Sequence, residues 1–323
     1  MLGFALLLQA TVTFGVGGPA TSPEYLPARV AEAAGYFAEE NLRVSLQAFR
    51  SPAEAAAALA AGKVDLAATS LDAALRVGHV RGVPPRLIFG LTSVPPVAIL
   101  VPAARRAEIR DLADLDGKTV GITAPGTPEA EALAALLMQA RVRPERVTLA
   151  SYGERRLTQA LGAGEVVAGV IGDPWATRLV RDGLAAPLID LRQPAEAARR
   201  LGGDTVHAAV FIPGASGMPE ARLDAVARAL LRASRRVRTA PPEALAAGLA
   251  ASIIGEGDDF TLRVAGARDV FIPDGVVTSG ALEASLELLQ DRARLPVAVR
   301  LPGRLGRLLF LEPLRRAQGS LGR

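Results

Sequence analysis

Two similar α/β lobes with a ligand cleft between them are the fold class that the sequence predicts. Three observations carry this reading. Strand-like and helix-like segments alternate through the first half of the chain. The same order of segments then recurs, with Leu59–Val64 matching Leu161–Val166 at an offset of 102 residues (59 to 161). Finally, 323 residues, half of them apolar, are material for two domains at a prior of about 150 residues each.

The elements follow in order. Thr11–Val16 is β-rich and leads into the turn-rich loop Gly17–Pro23. Glu24 to Glu40 carries apolar residues at helical spacing, and Leu42–Phe49 reads as a strand. Pro52–Ala61 is an Ala-rich helix, with Ser51 as its cap and Pro52 at its first position. Val64–Ala68 is a short buried strand. Such βαβ units imply a parallel sheet with helices on its faces. The second copy runs through the strand Lys118–Thr123, the helix Pro128–Ala140, the strand Val147–Ser151, a helix around Thr158–Gly162 and the strand Val166–Ile171. Beyond Ala195 come a helix, the strand Val206–Ile212 and helices at Glu220–Arg238, Pro242–Ile254, Phe260–Phe271 and Ser279–Arg292. The tail from Pro296 to Arg323 reads as a closing segment that frays at its end.

Composition narrows the function classes. The pI of 10.0 accompanies a formal charge of only +4, because acids and bases alternate along the helices. Nearly all the basic residues are Arg, and no block of five like charges occurs, so nucleic acid is not the expected partner. The absence of cysteine excludes disulfides, thiolate metal sites and thiol nucleophiles. His79 and His207, the only histidines, stand apart from other metal ligands in sequence, so no metal or cofactor is expected. Met1–Ala10 is apolar, too short to span a membrane, and resembles the core of a secretory signal that lacks its positive start. Export is the expectation, from a signal truncated here; a short buried strand extension is the alternative.

Several segments resemble a known family. Gly35–Val44, Ala61–Ala67, Asp114–Gly121, Gly172–Thr177 and Phe271–Val276 stand in the order and spacing of elements in ABC-importer solute-binding proteins for nitrate, sulfonates, taurine and thiamine-pyrimidine precursors. Asp173 stands where that family's pattern has Glu. The resemblance covers about residues 11 to 292. It implies a type II periplasmic-binding-protein fold with two crossovers, placed here near Pro95–Val101 and Thr205–Ile212. Lobe one is then 11–95 plus 206–323, and lobe two is 96–205. The implied function is capture of a small organic or anionic ligand by a monomer, by lobe closure, and its delivery to a membrane permease, without turnover.

In open α/β sheets, ligands sit beyond the carboxyl ends of the strands. The candidate ligand residues therefore lie on the loops that follow strands. Thr21 and Ser22 offer hydroxyls in a Gly-rich loop, and Tyr25 either stacks on a ligand or packs in the core. Ser70, beside Leu71, donates to a ligand or caps the next helix. Ser93 precedes the first crossover. Gly126 and Thr127 open a helix whose N–H groups suit an anion, or Thr127 simply caps it. Asp173 is an acceptor for an amino group or a capping residue. Trp175, the single tryptophan, is a stacking surface or a core residue.

Other functions fit less well. Gly15, Gly17 and Ala20 satisfy a dinucleotide fingerprint, but Pro19 and Pro23 oppose an immediate helix and the next strand ends without an acid. Enzymes share the two-lobed fold. The one that makes the thiamine pyrimidine carries a cysteine-rich iron motif absent here, and a menaquinone-pathway type remains an alternative. A ligand-sensing domain of a regulator would need a DNA-binding module, and the ten residues before the first strand hold none. Gly214–Gly217 lacks the spacing of a hydrolase elbow.

Overall fold

The computed structural model describes residues 11–125, 127–293 and 305–321. The strands are β1 (Val12–Val16), β2 (Val44–Ala48), β3 (Leu66–Ser70), β4 (Pro85–Thr92), β5 (Val97–Pro102), β6 (Thr119–Ile122), β7 (Thr148–Ser151), β8 (Ala168–Gly172), β9 (Ala185–Asp190) and β10 (Ala208–Pro213). They form two five-stranded sheets, ordered β2-β1-β3-β10-β4 and β7-β6-β8-β5-β9. The expected α/β class and its two lobes are therefore present.

The internal match has a structural counterpart. In sheet one, β1 runs parallel to β2 and β3; in sheet two, β6 runs parallel to β7 and β8. Each sheet then holds one antiparallel strand in its fourth position, β10 in one and β5 in the other. Both of these strands arrive from the opposite lobe. Ser70, ending β3, pairs with Ala208, and Gly172, ending β8, pairs with Val97. The segments expected as crossovers are thus mostly regular strand. The true connections are residues 93–96 and 202–207.

The strands β4, β5 and β9 have no counterpart in the sequence reading. The first two are apolar on both faces and buried along almost their whole length, so no alternation marks them. Two expected helices are broken. Glu24–Glu40 is a turn at Pro23–Tyr25, the helix Leu26–Ala33 and the short helix Tyr36–Glu39, interrupted at Gly35, whose φ of 73° suits glycine. Pro242–Ile254 splits at Gly248 into Pro242–Ala246 and Ala251–Ile254. The Ser51 cap is as expected: its oxygen accepts from the Glu54 amide at 3.2 Å. No described helix is long and apolar enough to cross a membrane. Residues 1–10 lie outside the described residues.

The tail does not fray over its described length. The helix Glu312–Leu321 lies on Glu220–Thr239, with Leu314 and Ala317 fully buried and Arg316 donating to both Asp224 carboxylate oxygens at 2.8–3.0 Å. Apolar side chains at helical spacing supply a buried face that propensity alone does not reveal. Leu314→Ala is expected to cost about 2–5 kcal/mol of stability, read by chemical denaturation.

Candidate functional site

The carboxyl ends of the parallel strands of both sheets turn towards a common seam. From lobe one come the loop after β1, the β3 end and the turn Pro23–Tyr25. From lobe two come the loops after β6 and β8 and the helix Pro128–Gln139. A cavity of about 70 Å³ lies where the end of β3, the helix Pro128–Gln139 and the connections between the sheets meet. Its walls include Leu71 and Asp72 of lobe one, Pro128 and Glu131 of lobe two, and Ser93, Thr205 and His207 of the connections.

Of the expected site residues, Leu71 and Ser93 line this cavity. Ser93 is fixed by its neighbours: its amide and hydroxyl both donate to the Val270 carbonyl, at 2.9 and 3.2 Å, and its carbonyl accepts from Thr205 Oγ1 at 2.8 Å. Ser70 is buried behind Leu71 and caps the helix Leu71–Arg81, accepting from the Ala73 amide at 3.2 Å. Thr21 and Ser22 are half-buried on the loop after β1. Thr127 occupies the N-cap position of the Pro128 helix, yet its hydroxyl donates to the Ala124 carbonyl at 2.8 Å and caps no amide. Gly126 lies outside the described residues.

Asp173 is committed to the protein. Its carboxylate accepts from the Thr177 amide at 2.9 Å and from Arg192 Nη1 at 2.8 Å on each oxygen. Asp190 holds the same guanidinium, and these carboxylates keep the Arg192 guanidinium firmly charged despite the burial that opposes it. Trp175 is half-buried against the lobe-two cluster, and Arg178 lies 5.3 Å over its ring. Arg178 then reaches across the seam to Asp258 and to Asp259, the latter at 2.7 Å. Gly266 of the helix Asp259–Ala267 completes this contact. The Asp173 carboxylate occupies the space that a side chain at 266 would need.

Tyr25 is buried, and its hydroxyl has no hydrogen-bond partner among the described residues. It has company. Glu24 Oε2, Arg29 Nε, Thr92 Oγ1, Glu129 Oε2 and His207 Nε2 are also buried without a partner among the described residues. Sequence reading missed Glu24, Asp72, Glu129, Glu131 and the seam position of His207. The four acids sit one to four positions beyond loop residues it chose, inside first helical turns where an acid normally serves the helix dipole, and His207 lies just before β10. Burial pushes the Glu24 carboxyl up to about 7. The Glu129 charge adds to this, while the Glu24 backbone hydrogen bond and Arg29 oppose it. Burial pushes the His207 imidazole down to about 4, with Asp72 opposing. Among the described residues, no group of three His, Cys, Asp or Glu could hold a metal ion.

With this geometry in view, the relationships of the chain can be stated. Residues 22–193 match the family model described as NMT1/THI5 like, more than half of the chain. The chain belongs to this family. No curated protein sequence matches it. Solved structures share its fold. A protein of Bordetella bronchiseptica RB50 superposes with a TM-score of 0.76 at 22% identity, covering 97% of this chain and 98% of that one. The periplasmic aliphatic sulphonate binding protein SsuA of Escherichia coli gives 0.69 at 18% identity, covering 91% and 98%. The periplasmic nitrate-binding protein NrtA of Synechocystis PCC 6803 gives 0.66 at 13% identity, covering 96% and 89%.

Two predictions follow from the seam. A side chain at position 266 collides with the Asp173 carboxylate, so Gly266→Val should raise the radius of gyration in solution scattering and lower the melting temperature as Asp173 is pressed off Arg192. The pH dependence of stability has two opposing parts. The folded state holds the Glu24 proton that the unfolded chain loses near 4.5, so stability falls as pH rises from about 4.5 to about 7. His207 acts in the other direction. The unfolded chain takes up its proton near 6.5 and the folded state only near 4, so stability falls on acidification through that window. Glu24→Gln should remove the loss towards neutrality, and His207→Gln the loss towards acid, in thermal melts at stepped pH.

Proposed function

We propose that this chain is the extracytoplasmic solute receptor of an ABC importer, a monomer that closes its lobes on a small solute and presents the closed form to a membrane permease. The observation that carries this reading is the seam itself. A cavity with walls from both lobes lies past the end of β3, and Arg178 bridges the lobes elsewhere along the seam. A ligand that touches both walls binds the closed form better than the open one, and this difference in affinity drives closure. The family match and the fold shared with SsuA and NrtA, both described as periplasmic binding proteins, support the same reading.

In this reading lobe one is residues 11–95 with 206–323, and lobe two is 96–205. Leu71 and Ser93 touch the solute. Thr21, Ser22, Ser70 and Thr127 shape its approach, Tyr25 closes the wall behind Glu24, and Asp173 acts by setting the lobe spacing. Trp175 reports on closure, since its neighbour Arg178 changes partners when the seam opens. Solute is bound and released unchanged, by a protein exported from the cytoplasm.

Solute should therefore change Trp175 fluorescence and reduce the radius of gyration, with no product formed on prolonged incubation. Arg178→Ala should weaken binding roughly twofold to fivefold, as a partly exposed pair does. Recovery of an altered solute, or a native protein confined to the cytosol, would refute the receptor assignment.

A further inference from the structure

The cavity past the end of β3 has a mainly apolar wall, to which Leu71, Ala132, Leu191, Leu201 and Leu288 contribute. The polar groups of this wall are committed, with one exception. Asp72 accepts from Arg76 at 2.7 and 3.1 Å, and Glu131 has an interaction of its own. Thr205 Oγ1 donates to the Ser93 carbonyl at 2.8 Å, and Ser93 Oγ donates to the Val270 carbonyl at 3.2 Å. Ser285 Oγ accepts from the Val206 amide at 2.8 Å and donates to the Ala281 carbonyl at 2.7 Å. The exception is His207, whose Nε2 is buried and has no hydrogen-bond partner among the described residues.

Such a wall offers nothing to a charge. Among the described lining residues there is no Lys or Arg to hold an anion, and a cation would have to draw a carboxylate away from its present partner. An ion would also lose its hydration against an apolar surface. The imidazole is itself neutral: burial pushes it down to about 4, with Asp72 opposing. A neutral imidazole nitrogen either donates or accepts, and a hydroxyl answers either state because it does both. Left unmet, the buried Nε2 costs free energy. Size sets the remaining limit. The volume of about 70 Å³ is roughly half that of an engineered apolar cavity of ~150 Å³ that takes up benzene, so it suits a molecule of only a few non-hydrogen atoms.

We propose that this cavity takes a small uncharged alcohol, its hydroxyl pairing with His207 Nε2 and its apolar body packing against Leu71, Leu191 and Leu201. This assignment rests on the receptor reading for one point, that the alcohol is the solute on which the lobes close. Leu71 belongs to lobe one, Leu191 and Leu201 belong to lobe two, and His207 stands on a connection between the sheets, so a molecule that touches all of them senses the spacing of the lobes.

The two histidines give a direct readout. His79 is exposed and far from the cavity wall, so in a nitrogen–proton spectrum of the imidazole rings it serves as the internal control for His207. The full chain is titrated with 2-propanol, sodium acetate and isopropylammonium chloride, three probes of similar size, at millimolar concentration and equal ionic strength, and scattering is recorded alongside. The expected result is a saturable shift of His207 Nε2 with 2-propanol alone, with His79 unmoved and the radius of gyration reduced. Ala132→Leu, which fills the cavity and leaves the imidazole in place, should abolish that shift. His207→Phe keeps a ring and removes the nitrogen; it should fold at least as stably, because Nε2 has no partner to lose, while saturation transfer from the protein to 2-propanol disappears. No shift, a shift that does not saturate, an equal shift with either ion, or one that survives in Ala132→Leu overturns the assignment. Closure on an ion with His207 unmoved would overturn it and leave the receptor reading standing. A saturable alcohol shift without closure would uphold the ligand class and remove the receptor reading from this cavity.

Discussion

Each sheet is completed by a strand that the other lobe delivers, and the rest of the molecule depends on this exchange. β5 enters sheet two directly from sheet one, and β10 returns to sheet one directly from lobe two. Both lie next to the strand whose carboxyl end meets the seam, β8 in one case and β3 in the other. Their hydrogen-bond ladders fix where the two sets of strand ends face each other. Residues 93–96 and 202–207 are the two short connections that join the sheets. Ser93, tied to Val270 and Thr205, anchors the first of them.

Much of the fold was legible in the sequence because it repeats. A match as sparse as Leu59–Val64 with Leu161–Val166 located equivalent helix-to-strand turns, and Ser70 and Gly172 occupy equivalent strand ends beside Ala208 and Val97. The strands β4, β5 and β9 were not legible. Leu87–Leu91 and Val97–Val101 are buried on both faces, and a run apolar on both faces has no period to read. The C-terminal helix escaped for a related reason. Its partner, the helix Glu220–Thr239, lies about ninety residues away, and no local signal indicates which face will be covered.

The cleft was legible in position but not in chemistry. Reading loops after strands led to Ser70, Leu71, Ser93, Thr127, Asp173 and Trp175. The charged groups lie slightly deeper, at Glu24, Asp72, Glu129 and Glu131, where an acid in a first helical turn looks like an ordinary partner of the helix dipole. Only tertiary structure shows that Glu24 is buried and within electrostatic reach of Glu129. Asp173 shows the converse. It is placed as a ligand acceptor would be, but Arg192 takes up its lone pairs.

The chain's path between the lobes has one more consequence. Lobe two is a single uninterrupted stretch, and its two ends lie side by side: the Thr92 carbonyl accepts from the His207 amide at 2.9 Å, and Thr92 pairs with Ala208. Such an insert behaves as a cassette. Two genetic breakpoints, a hydrogen bond apart in space, are enough to exchange one whole wall of the cleft between related chains while the host sheet keeps every one of its own strands.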